Sequence, residues 1–161
     1  MRFHVTGNAG AGKTTLAARL GAELNLPVTH LDRIVWAPGW KPVPAQQQAH
    51  ALRQITRSDS WVIEGVSHYV RAQADLVVFL DVPRPLCIWR CIRRNMRYLF
   101  TSRPELPENC PEWRIWPTLL GIIWRFPRAV GERIHHEALA SSRYLVLTAS
   151  QSASLHIQLA E

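Results

Sequence analysis

The 161-residue chain suits one domain of ordinary size with a buried core, and 47% hydrophobic residues fit a globular protein. Its longest apolar runs, LVVFL at 76–80 and LLGIIW at 119–124, fall short of the roughly 18 residues of a membrane span, so no membrane partner is expected. A formal charge of +7 and a pI near 10.2 favour phosphate-bearing partners such as nucleotides, phosphorylated metabolites or nucleic acid, without choosing among them.

RFHVT at 2–6 alternates and stops at Gly7, which predicts a short strand. Leu16, Leu20 and Leu24 then fall at helical spacing in 13–24, giving strand, glycine loop and helix. VTHLD at 28–32 reads as a second strand ending on Asp32, followed by a loop rich in proline and tryptophan. The glutamine-rich stretch 45–57 predicts a crossover helix, and WVIE at 61–64 a third strand ending on Glu64. LVVFLD at 76–81 is a continuous apolar strand of the parallel-sheet type, and Pro83 and Pro85 suit the entry of a helix reaching about Phe100.

From 101 to 127 the pattern becomes an insert with one helix over 113–124, interrupted by Pro117. A helix over 128–140 and a fifth strand over 143–147 (RYLVL) close the order. Alternating strands and helices predict an α/β sandwich around a parallel sheet. No basic stretch leads into a long apolar run at the N-terminus, so no secretion signal is expected. Cys87, Cys91 and Cys110 form no CxxC pair, are expected to pack rather than bind metal, and suit a cytoplasmic location.

The most specific signal is Gly7-Asn8-Ala9-Gly10-Ala11-Gly12-Lys13-Thr14, which satisfies GxxxxGK[ST] between a predicted strand and a predicted helix. Backbone N–H groups must turn inward around phosphates, and glycines allow the close approach and unusual dihedrals this needs. Lys13 would reach the β- and γ-phosphates, Thr14 would coordinate Mg²⁺, and Thr15 suits an α-phosphate. ATP, with GTP as the alternative, is the expected nucleotide.

The loop, HLD at 30–32, PGW at 38–40, WVIEG at 61–65, VVFLDVPR at 77–84, RCIRRNMR at 90–97 and WRIW at 113–116 occur in an order that resembles the P-loop nucleoside and nucleotide kinase superfamily. Among its members, the chain looks most like the small kinase-like proteins called DNA topology modulation, or FlaR-related, proteins. The resemblance implies a three-layer α/β/α fold on a parallel five-stranded sheet, an acceptor pocket over the strand ends and an arginine-bearing lid at about 84–127, all within a single domain spanning 1–161. It also implies that Asp32 orients the acceptor or acts as general base, and that Glu64 lies in the outer shell of Mg²⁺. Related nucleotide kinases carry Asp-Gly where this chain has Glu64-Gly65, which puts direct coordination in question.

Asp32 and Glu64 also sit where an α/β sheet places its ligands, at carboxyl ends of strands, although either would equally cap a loop or pair with an arginine such as Arg33. Asp81 is expected to cap the following helix and stays outside the site. Arg90, Arg93, Arg94 and Arg97 share one face of a helix, with Ile88, Ile92 and Leu99 opposite. Arg90 and Arg94 are the candidates for a catalytic lid, because phosphoryl transfer needs positive charge around the transferring group. Trp36 and Trp40 would wall an aromatic acceptor or simply bury their loop, and Lys41 would meet an anionic acceptor or lie on the surface.

Three functions follow. The first is transfer of the γ-phosphate of Mg-ATP to a small acceptor, a nucleoside or nucleotide among the candidates. The second is a nucleotide-binding regulator without transfer. The third is nucleic-acid binding, which no recognised nucleic-acid motif supports.

Overall fold

The computed structural model describes residues 1–98, 100, 103 and 105–151. Leu99 and the Arg97 side chain, both assigned to helix faces above, fall outside what it describes. The elements in chain order are β1 (Arg2–Gly7), α1 (Lys13–Glu23), β2 (Val28–His30), α2 (Asp32–Val35), β3 (Trp36–Ala37), β4 (Lys41–Pro42), α3 (Ala45–Ile55), β5 (Trp61–Glu64), α4 (His68–Gln73), β6 (Leu76–Asp81), α5 (Arg84–Arg97), α6 (Glu112–Phe126), α7 (Glu132–Ala140) and β7 (Tyr144–Thr148). Five strands form one parallel sheet in the order β2-β5-β1-β6-β7.

Alternation along these strands builds two cores. Phe3, Val5, Val62, Val78, Leu80 and Leu147 face one side, where they meet Leu16 and Leu20 of α1, the α5 cysteines and Ile123 of α6. Trp61, Ile63 and Val77 face the other side, against Val70 of α4 and Leu52 of α3, while Phe79 meets Ile134 of α7. Helices therefore cover both faces, giving the predicted α/β/α layering. Among the described residues, no helix is long and apolar enough to cross a membrane.

Several local expectations change. β2 stops at His30, and Asp32 opens the one-turn helix α2 instead of ending a strand. Pro38 and Gly39 turn a two-residue antiparallel hairpin, β3 with β4, inside the supposed loop. The short helix α4 is an element that the sequence pattern did not predict. Pro117 does not interrupt α6, which continues to Phe126 and passes through a π-helical turn at Pro127–Gly131 into α7. Pro117 lies within the first two turns, where one lost N–H bond costs least when the apolar face of the helix is buried.

Cys87 and Cys91 are fully buried and supply the packing face of α5 together with Ile88. Ile92, expected on that face, is exposed instead. Asp81 does not cap α5, whose N-cap is Pro83; it pairs with His135 of α7 at 3.2 Å.

Candidate active site

Residues 7–12 run from β1 into α1 through a loop in which Gly7, Gly10 and Gly12 have φ of 150°, 78° and 104°. At position 10 a Cβ would lie 2.4 Å from the Cys87 carbonyl oxygen, because α5 packs directly on the loop. The loop is braced through one residue. Asn8 donates from Nδ2 to the Ile123 carbonyl of α6 at 3.0 Å, and its Oδ1 accepts from the Ala9 N–H at 2.8 Å. Its carbonyl accepts from the Ala11 N–H at 3.1 Å and from Lys13 Nζ at 3.0 Å. No side chain caps α1 at Gly12, so the first-turn N–H groups and the helix dipole favour an anion at this end.

β5 lies beside β1 in parallel register, with Val5 opposite Glu64, and so delivers Glu64 next to the start of α1. The Thr14 hydroxyl donates to Glu64 Oε1 at 3.3 Å, and His30 Nδ1–H donates to the same oxygen at 3.0 Å. Burial opposes ionisation of Glu64, but the His30 bond, the Lys13 charge and the Thr14 hydroxyl outweigh it and hold the carboxyl below its ordinary range. The same hydrogen bond raises the His30 pKa against the opposing effect of burial. Gly65 follows with φ of 133°, and a Cβ there would lie 2.7 Å from Leu31 Cβ, which accounts for glycine after the acid.

A cavity of about 830 Å³ opens over the loop. Lys13, Thr14 and Thr15 line it on one side, with Glu64, and α5 contributes Arg90, Arg93 and Arg94 on the other. Arg90 Nη1 donates to the Ala11 carbonyl at 3.1 Å, tying α5 to the phosphate loop. Arg93 lies over the Trp89 ring at 5.0 Å. Asp32, Val35, Trp40, Tyr98 and Arg103 also line the cavity.

Several of these side chains are tied together by Glu112, which is 0% exposed at the start of α6. Its carboxylate pairs with Arg103 Nε and lies 3.5 Å from Arg94 Nη2. Arg103 Nη2 then reaches to 3.8 Å from Asp32 Oδ2. Pairing with an arginine such as Arg33 was the alternative to a functional role for Asp32; the arginine at 3.8 Å from its carboxylate is Arg103, from the 84–127 segment. Trp40 Nε1 donates to the Pro111 carbonyl at 2.9 Å and Trp36 meets Trp40 edge to face at 5.5 Å. Trp40 lines the cavity and Trp36 stands behind it.

The fold thus gathers Lys13, Thr14, Asp32, Glu64, Arg90 and Arg94, scattered over 82 positions, into one cleft. Arg103, Glu112 and His30 are additions. Arg103 was legible only as one more arginine, Glu112 only as a Pro-Glu helix start, and His30 only as part of HLD. Lys41, on the exposed hairpin strand β4, lies off the cavity.

Oxygen ligands beside a phosphate cradle suit Mg²⁺, which takes one or two carboxylates together with substrate phosphates. Thr14 Oγ1 and Glu64 Oε1 supply such a pair. Among the described residues no group of three His, Cys, Asp or Glu side chains forms a self-sufficient metal site.

No protein-family model and no curated protein matches the chain. Solved structures do. Shikimate kinase from Bacteroides thetaiotaomicron aligns with a TM-score of 0.57 at 18% identity over 100% of this chain and 99% of its own. A sugar kinase from Janibacter sp. HTCC2649 gives 0.54 at 18%, covering 99% and 91%. Deoxyadenosine kinase from M. mycoides with bound dATP gives 0.52 at 15%, covering 100% of both chains. The chain has the fold of the P-loop small kinases. In that fold the cleft described above lies over the carboxyl ends of the strands, beside the central strand β1.

Proposed function

We propose that this chain is a phosphotransferase that moves the γ-phosphoryl group of Mg-ATP to a hydroxyl of a small acceptor, in the class of nucleosides, nucleotides or hydroxylated metabolites. The observation that supports it is the convergence of a complete phosphate loop, Glu64 beside Thr14, and Asp32 in one cleft closed by α5 arginines. The four kinds of solved kinase sharing the fold agree with this class without naming the acceptor. The order of motifs also supports kinship with the DNA topology modulation (FlaR-related) proteins, a name that specifies no reaction.

Phosphoryl transfer asks mostly for positioning and charge. The loop N–H groups and Lys13 would hold the β- and γ-phosphates, and Arg90, already on the Ala11 carbonyl, would bring positive charge over them. Thr14 and the Glu64 side would hold Mg²⁺, which would supply neutralisation of the phosphate oxygens. The acceptor oxygen forms the new P–O bond as the bond to the β-phosphate bridging oxygen breaks; its proton passes to Asp32 and ADP leaves. Residues 84–127 act as a lid within the single domain in this reading.

Purified protein given Mg-ATP and a panel of nucleosides, nucleotides, sugars and hydroxy acids tests the reading through acceptor-stimulated ADP release. Stimulation that is lost in Lys13→Ala supports it; ATP consumption unchanged by Lys13→Ala overturns it.

A further inference from the structure

Three arginines of α5 line the cavity, and each is anchored by a different group. Arg90 donates to the Ala11 carbonyl of the phosphate loop at 3.1 Å, and Arg93 lies over the Trp89 ring at 5.0 Å. Arg94, one turn beyond Arg90 and on the same side of the helix, donates from Nη2 to Glu112 Oε2 at 3.5 Å. Of these three anchors, only Glu112 is a charge, and only Glu112 comes from α6.

An acid in the first turn of a helix ordinarily sits in water, where it answers the helix dipole at little cost. Glu112 follows Pro111, the N-cap of α6, yet it is wholly buried. Removing a carboxylate from water is costly unless counter-charges stand close. Here they are Arg94 and Arg103, both of which line the cavity. The Glu112 N–H also reaches the Tyr98 carbonyl at 3.5 Å, which ties the start of α6 to the end of α5 and fixes the carboxylate relative to the helix that carries Arg94.

A guanidinium has five N–H donors, so a contact at Nη2 restrains the group without using up its capacity to bind phosphate oxygens. An arginine held in this way needs no reorganisation when charge develops on a transferring phosphoryl group, whereas an unrestrained arginine must first be ordered.

We infer that Glu112 is a positioning residue that acts through Arg94, setting its guanidinium against the γ-phosphate of a bound nucleotide. The inference rests on the phosphotransfer reading for the placement of a triphosphate in the cleft and adds a residue to it.

Binding of Mg-ADP and of the Mg complex of the unreactive β,γ-imido analogue of ATP, each measured by titration calorimetry, isolates what the γ-phosphate contributes. Wild-type protein should prefer the triphosphate. Glu112→Gln should reduce that preference about fivefold or more, within the range of coupling between groups in contact. Affinity for ADP should change little, because Lys13 and Arg90 keep their places. Arg94→Gln should reduce the preference to the same extent, and the double variant should lose no more than either single one, since Glu112 then has nothing left to position. No triphosphate preference in wild type, a preference unchanged or increased in Glu112→Gln, a parallel fall in affinity for both nucleotides, or additive losses in the double variant overturns the inference. Should Glu112→Gln fail to fold, Glu112→Asp, which keeps the charge and withdraws it by one methylene, takes its place with the same expected reduction. Acceptor-stimulated ADP release is read separately. Its absence with every candidate acceptor removes the phosphotransfer reading and leaves a γ-phosphate preference governed by Glu112 standing; stimulation with a preference indifferent to Glu112 does the reverse.

Discussion

Thr14 Oγ1 and Glu64 Oε1 lie 3.3 Å apart, a hydrogen bond that joins the first turn of α1 to the end of β5 across fifty residues. His30 bonds the same carboxylate oxygen from β2, so the neighbouring strands β2 and β5 and the first turn of α1 meet on one atom. Such a carboxylate is held in place before any ion arrives. Glu64→Gln keeps the shape and removes the charge. It should raise the Mg²⁺ concentration needed for half-maximal ADP release by about tenfold or more, the range seen when groups supporting a metal are altered. A magnesium titration of both proteins at fixed ATP checks this; coincident curves would remove Glu64 from the ion's surroundings.

Lys13 bonds the Asn8 carbonyl in the structure described here and is free to exchange it for phosphate oxygens. Lys13→Ala should lower turnover by about a hundredfold or more, the cost of deleting one preorganised charge partner of a reacting group. Circular dichroism should show an unchanged fold, since Lys13 is not part of either core.

Gly10 has the clearest steric requirement in the loop. Its φ of 78° and the Cys87 carbonyl 2.4 Å from a built Cβ give alanine both a strained backbone and a backbone clash. Gly10→Ala should cost about 1–3 kcal/mol, the scale of one strained residue, with more if α5 cannot shift. Urea unfolding measures the loss, and nucleotide binding should weaken with it because α5 carries Arg90.

Acid should destabilise the protein through His4. This side chain is wholly buried in β1, and burial pushes its pKa down to about 3, even though its Nε2–H donates to the Gly65 carbonyl at 3.1 Å. The folded group stays neutral where the unfolded one takes up a proton. Stability therefore falls as pH drops from the ordinary histidine value of 6.5 toward about 3, by up to about 1.4 kcal/mol per pH unit. His30 acts in the opposite sense: its raised pKa gives a contribution that is full below 6.5 and is lost as pH rises through the folded value. Glu64, with its lowered pKa, contributes above its ordinary 4.5 and loses that as pH falls through the folded value. His4→Gln, which retains a donor but does not titrate, should flatten the acid limb of a urea-unfolding series between about pH 6 and pH 4. An unaltered slope would place the acid sensitivity elsewhere.

The parallel sheet and the phosphate loop were legible because local signals and tertiary context agree there. RFHVT alternates while WVIE and LVVFL are short apolar runs, all of them strands that parallel pairing buries, and GNAGAGKTT requires its glycines for backbone reasons that hold in any setting. Asp32 lines the same cavity as the loop, but from the start of α2 and not from a strand end. Strand propensity in VTHLD does not reveal that pairing with β5 ends at His30. The helix runs through Pro117 because burial of Ile115, Leu119 and Ile123 outweighs one lost hydrogen bond, and that burial is not visible in the local pattern.

The sequence by itself determined what the loop holds, since a phosphate cradle is made of consecutive residues and its geometry is local. It also determined that arginines would line one side of α5, because helical spacing is a local rule. The tertiary structure alone decided what anchors each of those arginines. Arg90 meets the loop while Arg94, together with Arg103 from beyond the helix, is drawn to Glu112, an acid that is unremarkable in the sequence and completely buried in the fold. Charge pairing depends on distance and desolvation between residues far apart in the chain, and neither is written in the order of the residues.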